Sequence, residues 1–182
     1  MKTTIIAVIL LFSALKISAQ VQVDIRAGAA VSSTSSLNMR IGPRAGVAVG
    51  YRFNRHIGIR SGLFYTMKGA TKTNYIFEYD RNRALNLSYI DLPVEVSASF
   101  PLSAKSAIEV HGGPYISGLL KSSVPASCQF KVNKIDFGAG LGLDFIIGHF
   151  ILGPEAQYGF TRIASDKSEH NITYAFSLGY RF

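Results

Sequence analysis

The 182-residue sequence has one cysteine, no tryptophan and only six prolines. A single thiol excludes an intrachain disulfide framework and a thiolate metal cluster. Charge is scarce as well: Asp, Glu, Lys and Arg make up 16% of the residues, against about 25% in an ordinary soluble domain. So few ionic side chains suit a water-facing surface poorly. Long apolar runs are also missing. Although 48% of the chain is hydrophobic, no stretch reaches the roughly 20 apolar residues that a membrane helix requires, which excludes a helical membrane protein. What the chain does have is 17 Gly, 12 Phe and 9 Tyr, and aromatic residues favour strands.

The N-terminus reads as a targeting segment. Lys2 gives a basic start, Ile5 to Leu15 is uncharged and mostly apolar, and Ser18-Ala19 offers small residues before a cut. Cleavage after Ala19 leaves residues 20–182 as one barrel domain, with 1–19 as signal peptide. The run is too short to span a bilayer. Basic residues outnumber acidic ones, 19 to 11, but they form no run or stripe. Export also separates the chain from nucleic acid, so no nucleic-acid partner is expected.

From Gln20 onward the pattern is alternation, which places successive side chains on opposite faces of a strand. In the last segment Ile172, Tyr174, Phe176, Leu178, Tyr180 and Phe182 share one face, and Asn171, Thr173, Ala175, Ser177, Gly179 and Arg181 share the other. Segments of this kind fall near 21–32, 42–53, 57–68, 87–100, 106–118, 134–147, 150–162 and 171–182. Their connections alternate in length. Asn54-Arg55-His56, Pro101 to Lys105 and Gly148-His149 are tight; Ser33 to Ile41, Gly69 to Asn86, Leu119 to Asn133 and Ile163 to His170 are longer and polar. An even number of strands with short turns at one end and longer loops at the other predicts an all-β fold: an eight-stranded antiparallel up-and-down transmembrane β-barrel. Both termini then lie at the short-turn, periplasmic end, and Cys128 lies on an outward loop as a free thiol.

Turn chemistry predicts register. Across Gly148-His149, Ile147 faces Phe150, which sets Gly142 against Glu155 and Asp144 against Gly153. Across the Asn54 turn, Phe53 faces Ile57, which sets Gly50 against Arg60 and Gly46 against Phe64. Large side chains meet glycine on one face, as filling a narrow eight-stranded lumen demands. That face carries the acids Asp24, Asp91, Glu95, Glu109, Asp136, Asp144 and Glu155 and the bases Arg26, Arg44, Arg52, Arg60, Lys68 and Arg181. Charges held away from bulk water need partners, so these residues are expected to form a structural lumen network. His111 shares the face, and pairing Phe100 with Ser106 would set it opposite Glu95. A soluble barrel with its greasy face inward is the competing architecture, but the aliphatic and aromatic bulk of eight strands would overfill it. Aromatics are expected in girdles: Tyr51, Phe53, Phe100, Phe150, Tyr180 and Phe182 near the turns, and Tyr65, Tyr89, Phe160 and Tyr174 toward the loops.

The signal peptide ending at Ala19-Gln20, the run Tyr89-Ile90-Asp91-Leu92-Pro93 and the terminal Tyr180-Arg181-Phe182 together resemble the small outer-membrane barrels of Bacteroidetes described as PorT-like. The resemblance covers nearly all of residues 20–182. It implies an outer-membrane protein with OmpX-like and OmpA-like architectural relatives and no appended peptidoglycan-binding domain. It names no reaction, although PorT itself is associated with type IX secretion. Tyr180 and Phe182 resemble the assembly signal read by the barrel-insertion machinery.

Motifs with catalytic overtones give way to packing. Gly138-Ala139-Gly140-Leu141-Gly142 lacks the G-x-G-x-x-G spacing and continues as strand. His170 with Asp166 and Glu169 resembles the surroundings of outer-membrane proteases, which are larger, ten-stranded barrels. The acids on the inner face deny a lipid-modifying enzyme the apolar lumen that an acyl chain needs. The expectation is a monomeric, non-enzymatic barrel without cofactor or metal. Its partners are outer-membrane lipid, the insertion machinery and an unidentified protein at the loops. A narrow solute channel, or an outer-membrane lipid-modifying or proteolytic enzyme, is the alternative.

Overall fold

A computed structural model describes residues 20–34, 39–71, 84–123, 133–164 and 167–182. The targeting segment and Cys128 lie outside these residues. Eight antiparallel strands, β1 (Val21–Thr34), β2 (Arg40–Arg52), β3 (Ile57–Thr71), β4 (Ala84–Pro101), β5 (Ser106–Ser123), β6 (Ile135–Ile147), β7 (Phe150–Ala164) and β8 (Lys167–Arg181), close into a barrel in sequence order. Closure leaves no exposed strand edge, so backbone polar groups are satisfied between strands where no water reaches them.

Register fixes the barrel's width. From Val21 the lateral neighbours run through Tyr51, Ile59, Val96, Gly112, Leu141, Ala156 and Tyr174, and the circuit returns to β1 at Val31, ten residues on. Ten residues of rise over eight inter-strand spacings tilts the strands by about 40°. Apolar side chains cover the outside, among them Val47, Leu63, Val96, Leu141, Phe176 and Leu178. Tyr51, Phe53, Phe100, Phe150, Tyr180 and Phe182 are exposed beside the short turns, and Phe160 and Tyr174 toward the other end.

The turns explain the register. Gly148 has φ +60 and no other residue of that turn has positive φ, which is the type II′ arrangement, and Ile147 pairs with Phe150. In the first turn the Asn54 side chain accepts hydrogen bonds from the His56 and Ile57 amides, both at 2.8 Å, and Arg60 sits against Gly50. The second turn departs from expectation. Phe100 pairs with Ile108, not Ser106, because Leu102 N–H donates to Ser106 O at 2.8 Å and confines the loop to Ser103–Lys105. The slip of two residues preserves every face but sets His111 against Ser97 instead of Glu95.

Two further expectations are corrected. Ile163 to His170 is not a long loop, since Arg162 pairs with His170 and Ala164 with Lys167. The pairing runs on past the apolar stretch because a strand above the bilayer gains nothing from alternating hydrophobicity, so a polar sequence conceals it. Tyr89 is buried at 1% exposure and faces the lumen, not the outer girdle, because it lies two residues from Asp91 on the same face.

Candidate functional site

Charged side chains from all eight strands meet inside the barrel. At the turn side, Asp144 on β6 receives both terminal nitrogens of Arg26 from β1 at 2.7 Å and Arg60 Nη1 from β3 at 2.7 Å. Arg60 Nε donates to Glu95 at 2.6 Å. Asp24 takes Arg26 at 2.9 Å and Arg181 Nε at 2.7 Å. Glu109 is shared by Arg52 and Arg181 at 3.3 Å and by Arg60 at 3.7 Å. Four carboxylates, Asp24, Glu95, Glu109 and Asp144, therefore balance four arginines. Asp144 is fully buried, and such pairs persist in a low-dielectric interior only with close, multiple hydrogen bonds.

His111 lies between acids from two strands. Its Nδ1 is 3.2 Å from Glu95 and its Nε2 3.7 Å from Asp144. The first approach is close but misaligned, so Nδ1 has no hydrogen-bond partner among the described residues. No contact joins His111 to Glu109 among those residues, although both lie on β5.

A second cluster fills the loop side. Arg44 bridges Asp91 at 3.0 Å and Glu155 at 3.0 and 3.1 Å, and its guanidinium lies 4.7 Å from the Phe64 ring centroid. Asp91 also accepts from Thr66 at 2.7 Å and Ser117 at 2.6 Å, and pairs with Lys68 at 3.1 Å. The Lys68 ammonium sits over Tyr115 and Tyr89, 4.8 and 5.2 Å from the ring centroids. Asp136 accepts from Asn171 at 3.0 Å and lies 4.0 Å from Lys68. Here three acids meet two bases. Asp136 Oδ1, Gln157 Oε1 and Thr173 Oγ1 have no partner among the described residues.

This cluster gives the run Tyr89 to Pro93 a structural reason. Tyr89 packs beneath Lys68 and Asp91 is the hub. Pro93 lacks an N–H, and pairing with β3 lapses from Ser61–Val94 to Phe64–Asp91. The Ser61 hydroxyl caps the Pro93 carbonyl at 2.8 Å.

Glycines make room for these side chains. A Cβ on Gly142 would overlap the His111 ring, one on Gly153 would overlap Asp144, and one on Gly138 would fall 2.7 Å from the Tyr115 ring. Gly142→Ala is therefore expected to destabilise the barrel by about 1–3 kcal/mol, because His111 is boxed in by Glu95 and Asp144. Urea denaturation of the refolded protein checks this, and an unchanged midpoint would show that the ring has room to move.

Of the sequence-predicted residues, Arg26, Arg44, Arg60, Asp91, Glu95, Glu109, His111, Asp136, Asp144 and Glu155 all meet in the lumen. Tyr180 and Phe182 do not; they face outward, with rings 5.1 Å apart, and Phe182 N–H donates to Val23 O at 2.9 Å. His170 is on β8, bonded to the Gly159 carbonyl at 3.0 Å and stacked on Tyr158. Sequence reasoning missed Thr66, Ser117 and Asn171, whose inward parity was the available signal.

The architecture is shared with known proteins. OprG from Pseudomonas aeruginosa superimposes with a TM-score of 0.55 at 12% identity, covering 90% of this chain and 96% of its own. Neisserial surface protein A does so with 0.54 at 14%, covering 89% and 97%. The outer membrane enzyme PagL gives 0.50 at 12%, covering 87% and 98%. At such identities the likeness is one of fold. No curated protein sequence matches the chain. The outer membrane protein beta-barrel domain family matches residues 12–165, most of the chain, and together with the closed eight-stranded barrel it establishes that this chain belongs to that family and resides in the bacterial outer membrane.

Proposed function

We propose that this protein is a non-enzymatic, monomeric structural barrel that carries its specific activity on the loops joining β1 to β2, β3 to β4 and β5 to β6. The observation that carries this reading is the two-cluster network, which commits the lumen's charged groups to one another. His111, at 2% exposure, has its ring against Glu95 and Asp144 and is out of a substrate's reach. The reading extends to kinship with PorT-like barrels, for which the run Tyr89 to Pro93 is the support, and only through that kinship to a link to secretion. Its partners are then outer-membrane lipid, the insertion machinery through Tyr180 and Phe182, and a protein at the loops.

Residues 72–83 and 124–132 are the longest connecting segments outside the described strands. Replacing both with short Gly/Ser connectors should leave a heat-modifiable barrel at normal yield. In cells lacking the protein the intact chain should restore envelope integrity, read as detergent resistance, and the loop-replaced barrel should not. Full restoration by the loop-replaced barrel would place the activity in the barrel wall or lumen instead.

A further inference from the structure

The short-turn mouth, which faces the periplasm in barrels of this class, holds a recess beside the turn-side cluster. It has a volume of about 570 Å³ and is bounded by β1, β2, β4, β5, β6, β8 and the second and third short turns, with Arg52, Arg181, Lys105 and His149 in its wall beside Ser99 and Ser106. That volume lies within the range of small-molecule sites. Among the described residues, no Asp or Glu lines it.

The acids nearest its floor are already engaged. Glu109 is approached by three arginines, with contacts of 3.3 to 3.7 Å, longer than the 2.6 to 2.7 Å pairs deeper in the lumen. Asp24 holds both Arg26 and Arg181. The Arg52 side chain keeps 30% exposure, so part of its guanidinium faces the recess with donors to spare. Lys105, on the exposed tip of the second turn, adds a cation with no acid beside it in the wall.

The wall is braced by backbone bonds. Gly148 N–H donates to Lys105 O at 2.6 Å and ties the second turn to the third; Arg181 N–H donates to His149 O at 2.8 Å, and Leu102 N–H to Ser106 O at 2.8 Å. The His149 ring is held by Nδ1 against Arg181 O at 2.7 Å. A rigid rim loses little freedom when it binds.

We propose that this recess is a binding socket for a small oxyanion, carboxylate or phosphate, presented from the periplasm, with Arg52 and Lys105 as its principal ligands. A planar guanidinium and a flexible ammonium lining the same recess suit either oxyanion. The Ser99 hydroxyl, which accepts from Arg52 at 3.4 Å, keeps its own proton as a further donor.

The test is calorimetric titration of the refolded mature chain in zwitterionic detergent at fixed ionic strength, with inorganic phosphate, succinate and neutral succinamide as separate probes. Phosphate, succinate or both should bind saturably, and which of them binds identifies the ligand class; succinamide should not bind. Lys105→Glu, on an exposed turn, should leave the barrel heat-modifiable and weaken binding by about tenfold or more. Arg55→Glu, outside the recess, should leave it unchanged. The socket is refuted if neither anion binds, if succinamide binds as well as succinate, or if Arg55→Glu weakens binding as much as Lys105→Glu.

Discussion

Asp144→Leu should cost the barrel about 3–5 kcal/mol, because it strips a fully buried carboxylate from two buried arginines at once. Arg26 would lose both of its 2.7 Å bonds to Asp144 and keep only Asp24, while Arg60 would keep Glu95 and the longer approach to Glu109. Both guanidiniums are buried, so bulk water cannot replace the lost carboxylate. Leucine supplies volume but no charge, so the loss is that of orphaned cations and not of a cavity. Adding Arg26→Met should recover part of it, since one of the two cations is then gone and the thioether fills its space. The paired substitutions should thus be clearly non-additive. Urea midpoints of the refolded variants in lipid or detergent measure this; additive losses would mean that Arg26 and Asp144 are not coupled, and a midpoint unmoved by Asp144→Leu would mean that the network contributes nothing to stability.

Why Asp144 is the hub was not legible in the sequence, although its face was. Alternation alone places Asp144, Arg26 and Arg60 inside, and the Gly148-His149 turn sets Ile147 against Phe150 as observed. Nothing local, however, says that Arg26 on β1 meets β6. That meeting depends on closure and on the ten-residue offset around the barrel, which is the combined outcome of eight separate registers. One of those registers departs from the sequence pattern: the five residues Pro101 to Lys105 read as the turn, whereas the Ser103 hydroxyl, 2.6 Å from that of Ser106, helps close a loop of three. The error moved His111 by two residues along β4 and changed its neighbour while leaving its face intact. Strand ends were obscured where they leave the bilayer, as at Ala164–Lys167, because hydropathy records contact with lipid and not hydrogen bonding. Tyr89 shows the converse: an aromatic near a strand end resembles a girdle residue, yet its parity with Asp91 committed it to the lumen.

We propose that the lumen is a solid, ion-paired interior and not a water-filled pore. Eight strands leave an interior about as wide as the side chains that fill it. Here arginines cross it in two clusters, from Arg26 to Asp144 and from Arg44 to Glu155. A gap lined by Asp24, Arg60, Glu109 and Arg181 offers about 10 Å³, room for about one water. An ion entering this interior would have to replace contacts of 2.6 to 3.0 Å with its own, in a region where breaking one buried pair costs several kcal/mol. Single-channel recording of the refolded protein in planar bilayers tests the claim directly. A filled lumen should give a flat baseline without stable, porin-sized steps at any holding potential the bilayer survives; a long-lived open level that scales with salt concentration would mean that the interior is a water-filled pore.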